Sequence, residues 1–302
     1  MTVILAAILL EHFRPLQSSW MHWLTHPLQR LALHLNAGTR QYGVIAWLIA
    51  VLPLLLITSL IFFALSAITP WLGWLWQIAI LYVCLRFKSI TLPARQLATA
   101  LSNNDMVGAQ ALYAAQHPSQ PIPTHADGLI RLTMENLFGD VLHNLFGVLF
   151  WFILLAPLGP IGALLYRLAQ HLAQTWQPSQ MGEFSHFAQR LSHLLDVLPA
   201  RLTALTFAIA GDFEDAVYCW RSQAGDWINQ HVGVVLASAA GAMEVKLGGT
   251  LQHTQGETWR PELGLGNTPE PTDINSGISL IWRALSIWLL LLFFFALAKL
   301  AG

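Results

Sequence analysis

YGVIAWLIAVLPLLLITSLIFFALSAI, Tyr42 to Ile68, contains no charged side chain and is interrupted only by Pro53. About 20 consecutive residues of this kind carry a helix through the hydrocarbon core of a bilayer. A helix suits that medium because it satisfies its own backbone N–H and C=O groups where no water is available. The stretch therefore predicts a membrane-spanning α-helix, with Pro53 marking a kink.

Working outward, the segment 71–87 is apolar and carries Trp71, Trp74 and Trp76 near its start, the pattern of an aromatic belt at a membrane interface. With Tyr42 to Ile68 it forms a helical hairpin turning at Thr69-Pro70. Further spans are expected near 145–166, which contains Pro157 and Pro160, and near 278–298, where Arg283 is the charged residue close to the start. The segment 194–211 carries Asp196, Pro199 and Arg201 in its first half, and 232–243 is too short to cross and reads as re-entrant or amphipathic. The expected fold is all-α, a polytopic helical membrane protein of about four to five spans plus amphipathic or re-entrant segments. The whole chain, 1–302, reads as a single membrane domain with loops at 88–144 and 212–277.

Composition agrees. Hydrophobic residues make up 55% of the chain and charged residues 10%, against about 25% charged in soluble proteins, and the mean hydropathy is +0.52. A net charge of -1 without a basic run argues against nucleic acid as a partner. Cys84 and Cys219 are far apart and match neither a zinc spacing nor a disulfide framework. MTVILAAILL at the amino terminus resembles a signal-peptide core but lacks a basic flank and a small-x-small cleavage site, so it is expected to stay in the mature protein. Arg14, Arg30, Arg40, Arg86, Lys88, Arg95 and Arg131 fall on one side of the first hairpin, which the positive-inside rule makes cytoplasmic in a bacterial-type inner membrane.

Chemistry-bearing residues gather in LTMENLFGDVLHNLFGVLFWF, Leu132 to Phe152. On a continuous α-helix Asp140 and His143 are three apart and can touch, with Glu135 in one quadrant of the same side. The stripe can bind a cation or a polar substrate. Its alternative is three solvated residues at the wet end of a helix. Arg201, set in an apolar helix, needs an anion: either a structural partner such as Asp196, or a substrate phosphate or carboxylate. His22 and His26 have a metal-compatible spacing but no carboxylate nearby, which favours interfacial histidines. The chain has no Walker-type phosphate loop, no dinucleotide fingerprint, no G-x-S-x-G and no H-E-x-x-H.

Several pieces taken together resemble the CobD/CbiB membrane proteins of cobalamin biosynthesis and their relative AmpE. They are HPL at His26, R-x-x-x-E at Arg131 and Glu135, LFW at Leu149, GPIGALLYR from Gly159, PARLTAL from Pro199, AGAMEVKLGG from Ala240 and RPELG from Arg260. The resemblance implies an ATP-dependent ligase joining aminopropanol, or its phosphate, to a carboxylate of adenosylcobyric acid. Under it, Glu135, Asp140 and His143 are the catalytic candidates, Glu135 and Asp140 would hold Mg²⁺, and Arg201, Arg260, Gly248 and Gly249 would bind substrate. The implied partners are a corrinoid or a protein, membrane lipid and a second copy of the chain.

The chain departs from the family pattern where Gly139-Asp140 and His143-Asn144 follow the glutamate. QHLAQ, Gln170 to Gln174, stands where NTLDS is typical, putting Ala173 in the place of an acid, and INQHVGVVLAS replaces the SPN segment. RDT is missing near His117. The second expectation is accordingly a non-catalytic regulatory or sensory protein of AmpE type that keeps the scaffold.

Overall fold

The computed structural model describes residues 1–15, 21–36, 38–118, 120–253 and 256–301, with the backbone alone at 22 and 299–301. The chain begins with α1 (Thr2–Phe13), α2 (Met21–Leu35), α3 (Arg40–Ile68) and α4 (Pro70–Cys84). Next come α5 (Phe87–Ser102), α6 (Met106–Gln116) and α7 (Ala126–Val141), which passes through a π turn at Leu142–Phe146 into α8 (Gly147–Leu154). Then follow α9 (Ile161–Thr175), α10 (Pro178–Met181), α11 (His186–Ala210), α12 (Phe213–Gln223) and α13 (Gln230–Ala242). Four short strands, β1 (Leu247–Gly248), β2 (Leu251–His253), β3 (Gly256–Thr258) and β4 (Glu262–Leu263), precede α14 (Pro271–Ala301).

Among the described residues five helical stretches are long and apolar enough to cross a membrane: Arg40–Ile68, Pro70–Ser102, Ala126–Leu154, Pro178–Ala210 and Pro271–Ala298. The protein is an all-α polytopic membrane protein. The hairpin of α3 and α4 turns at Thr69, where Pro70 opens the second helix at a position whose N–H has no intrahelical acceptor. Three other boundaries differ from expectation. The apolar helix expected at 145–166 begins at Ala126 and ends at Leu154, because Pro157, Pro160 and Gly159 at φ +80° break the chain before α9. The helix expected at 278–298 begins at Pro271. The loop expected at 212–277 holds α12, α13 and two antiparallel strand pairs, β1 with β4 and β2 with β3.

Two compact units are formed. One contains 88–142 and 200–302, with Met1. In it, the residues of α13 from Gly233 to Ala242 are buried without interruption, and Ser238 Oγ donates to Ala204 O of α11 at 2.7 Å. A fully buried helix of small residues permits such close backbone approach. The other unit contains 2–87 and 143–199. There, Pro199 cannot donate to Leu195 O, and the Trp151 indole N–H takes that carbonyl at 3.0 Å. This explains how α11 tolerates an internal proline.

Candidate functional site

The first unit brings Arg131 and Glu135 of α7 against the β1–β4 pair. Glu135 is 5% exposed. Its Oε1 accepts the Gly248 N–H at 2.8 Å, and its Oε2 pairs with Arg260 Nη1. Arg131 Nη1 donates to Gly248 O at 2.8 Å, and Arg260 Nη2 reaches the same carbonyl at 3.4 Å. Both the N–H and the C=O of Gly248 are thus held by α7 and Arg260 side chains.

The chain can present them this way because Gly248 and Gly249 have φ of +73° and +71°. A Cβ at Gly248 would lie 1.9 Å from Pro261 O, so only glycine lets β1 close on β4 in the register Gly248 to Glu262. That register also places Arg260, two residues before β4, beside Glu135.

A cavity of about 290 Å³ opens over the cluster, lined by Glu135, Arg260, Leu132, Trp227, Leu236 and Leu251 among others. It combines apolar walls with a guanidinium–carboxylate pair, the usual make-up of a small-molecule site. Among the described residues, Arg260 Nε is buried and has no hydrogen-bond partner. Arg260 therefore keeps a donor that neither Glu135 nor Gly248 uses.

Asp140 lies in different surroundings. It lines a pocket of about 20 Å³ with Tyr113, Gln116, His117, Thr133 and Asn136, room for a single water. Burial pushes His117 below its ordinary value, and the Asp140 charge opposes that shift. Asn136 Nδ2 donates to Tyr113 Oη at 2.9 Å and to Gln120 Oε1 at 3.0 Å. Burial drives the Tyr113 hydroxyl well above its ordinary range, so it stays a neutral donor, and it donates to Gln120 Oε1.

Glu135 and Asp140 do not assemble as the expected Mg²⁺ pair. They are five residues apart, about 140° around an α-helix, and both oxygens of Glu135 already accept N–H donors. Among the described residues no group of three His, Cys, Asp or Glu could hold a metal ion. Arg201 is exposed on α11 and does not line the 290 Å³ cavity.

His143 falls in the second unit. The π turn inserts a residue into the helical register, so the i, i+3 spacing from Asp140 no longer describes one α-helical face. His143 Nδ1 lies 3.3 Å from Tyr166 Oη and 3.7 Å from Asp196 Oδ1. Asp196 Oδ1 accepts from Tyr166 Oη at 2.6 Å and from Gln170 Nε2 at 2.8 Å, while Ser192 Oγ donates to Gln170 Oε1 at 3.0 Å. Asp196, expected as a partner for Arg201, is engaged by α9 and the π turn, since five residues with Pro199 between them put Asp196 and Arg201 on different faces.

The profile of the family described as CobD/Cbib protein matches residues 4–281. The chain belongs to the CobD/CbiB family. A cobalamin biosynthesis protein CobD of Stutzerimonas stutzeri is 35% identical over 282 residues, covering 89% of this chain and 90% of that protein. One from Chromobacterium violaceum is 33% identical over 245 residues, 80% of this chain and 72% of the relative. A Citrobacter koseri protein of the same name is 24% identical over 288 residues, 90% and 88% of the two chains. No solved structure gives a significant match.

Of the residues that the family resemblance singled out, Glu135, Arg260, Gly248 and Gly249 come together, and Arg131 joins them. Sequence reasoning noted Arg131 in the R-x-x-x-E pattern and in the topology but gave it no part in the site, although its spacing of four from Glu135 on one helix face was the available signal. It also missed Tyr166, Gln170 and Ser192, since polar residues on three helices reveal their convergence only once the helices pack.

Proposed function

We propose that this chain acts in cobalamin biosynthesis as a membrane-bound amide ligase, joining aminopropanol or its phosphate to a carboxylate of adenosylcobyric acid at the expense of ATP. The observation that carries this reading is the buried Glu135–Arg260–Gly248 cluster beneath a cavity, in a chain whose family match spans 4–281. Acyl transfer to an amine needs a held acyl oxygen, an oriented amine and a dry site. Arg260, whose guanidinium lines the cavity, suits an anionic oxygen of the substrate. Glu135 fixes the guanidinium, and the apolar lining of Leu132, Leu236 and Leu251 excludes water.

Mg²⁺ does not fit Glu135 and Asp140 as they stand, and no step is assigned through it. Arg131 organises the Gly248 turn and leaves the cavity side of the cluster to Arg260. The membrane is inferred to be the bacterial inner membrane, with 88–144 and 212–277 facing the cytoplasm.

Complementation tests the reading. A strain lacking its own ligase of this step, supplied with cobyric acid, should grow when it carries this chain and fail with Arg260→Met. Lack of growth with the intact, membrane-inserted protein would favour the non-catalytic AmpE-type alternative.

A further inference from the structure

α2 is amphipathic in a direction the catalytic proposal does not use. It buries Met21, Leu28 and Ala32. On this inner side the Trp176 indole N–H donates to Leu28 O at 3.3 Å, and Thr25 Oγ1 lies 3.3 Å from His171 Nε2. The opposite face, Trp23, His26, Pro27, Arg30, Leu33 and His34, is exposed and follows the spacing i, i+3, i+4, i+7, i+10, i+11 of one helical stripe. Trp23 is 84% and Leu33 72% exposed. Large apolar side chains seldom stand that far out on a surface facing only water.

Three features identify what covers the stripe. First, α2 contains no Asp or Glu, while Arg30, His26 and His34 are N–H donors on the exposed face. The charge complementarity is to an anion, in a chain whose net charge is -1. Second, Trp and Leu interleaved with basic residues are the composition of helices lying in the plane of a membrane interface. Third, the stripe is continuous with surface that faces lipid: α2 packs on α3, whose Ile45, Leu48, Ile49 and Leu52 are exposed. The end of α3 nearest α2 in sequence carries the exposed Arg40–Glu183 ion pair, as expected where a spanning helix leaves the hydrocarbon.

We propose that this face of α2 is a docking surface for anionic lipid headgroups. Trp23 and Leu33 enter the acyl boundary, while His26, Arg30 and His34 donate to the phosphates. The proposal is independent of the ligase reading.

The test places a nitroxide spin label on Leu33→Cys in the full chain, in nanodiscs of phosphatidylcholine with increasing phosphatidylglycerol. Cys84 and Cys219 are buried, so labelling of the unsubstituted chain gives the background. Oxygen accessibility of the label should rise, and that of a water-soluble nickel reagent fall, as anionic lipid is added. Arg30→Gln should lower the inserted-to-aqueous ratio of the label about fivefold at a given phosphatidylglycerol content, and so move the midpoint to more phosphatidylglycerol, the effect of one basic residue at such a surface. Because Arg30 is exposed, helicity and monodispersity should match the parent. A label that reads aqueous in every lipid overturns the proposal, as does a midpoint that Arg30→Gln leaves unchanged. An immobilised label shielded from both reagents would assign the face to a second copy of the chain and overturn it equally.

Discussion

Arg260 pairs with Glu135 across 125 residues of sequence, and both side chains also hold Gly248, one through its N–H and the other through its C=O. Removing one partner of a buried ion pair leaves the other charge uncompensated, at a cost of about 3–5 kcal/mol. Glu135→Gln and Arg260→Met should therefore each lower the thermal unfolding midpoint in detergent and abolish activity. The double substitution Glu135→Leu with Arg260→Met should recover part of the stability and none of the activity. Recovery of activity in the double variant would show that the pair is structural only.

The two glycines should respond unequally. At Gly249 an added Cβ meets Arg131 Nη1 at 2.9 Å, the end of a flexible side chain, whereas at Gly248 it meets the Pro261 carbonyl at 1.9 Å. Gly249→Ala should cost about 1–2 kcal/mol for the left-handed backbone alone. Gly248→Ala should cost clearly more, because β1 must separate from β4. Thermal unfolding of the two variants side by side measures the difference.

In the second unit, Asp196 is 1% exposed and accepts from Tyr166 and Gln170. Asp196→Leu leaves a buried hydroxyl and amide without their acceptor and should destabilise by about 2–6 kcal/mol, since each of the two orphaned polar groups costs about 1–3. Asp196→Asn keeps a carbonyl acceptor and should cost less than half as much. Equal unfolding midpoints for the two variants would contradict the network.

The half-buried His117 predicts an acid dependence. Its folded value lies below the ordinary 6.5, so in the window below 6.5 the unfolded chain binds a proton that the folded chain does not. Stability should be level above pH 6.5 and fall as pH drops below it. Asp140→Asn removes the charge that opposes the shift and should steepen the fall, while His117→Asn should flatten it. Denaturation midpoints measured between about pH 5 and 8 check both slopes, the upper end lying where an ordinary histidine is neutral.

The hairpin of α3 and α4 was legible because its signal is local: apolar length and a proline at the turn. Ala126–Leu154 was harder to read. Glu135 and Asp140 look like residues outside a membrane, yet α7 buries Glu135 by supplying it with Gly248 and Arg260 from beyond residue 240. The π turn hid the surroundings of His143, because spacing rules assume an unbroken α register. Gly248, Gly249 and Arg260 could be marked from the family pattern, but their geometry depends on a two-residue strand pair too short to announce itself. The exposure of Arg201 was hidden for a simpler reason: an arginine in an apolar helix looks buried until the helix faces are assigned.

The most direct test of the ligase reading is amide formation by the purified protein in detergent. Adenosylcobyric acid, aminopropanol phosphate and ATP are supplied, and the corrinoid product is weighed by mass spectrometry. The account predicts a product heavier by the amine less one water, formed only with ATP and lost in Arg260→Met. Folded, monodisperse protein that yields no such product, while an active CobD relative does so under the same conditions, would contradict it.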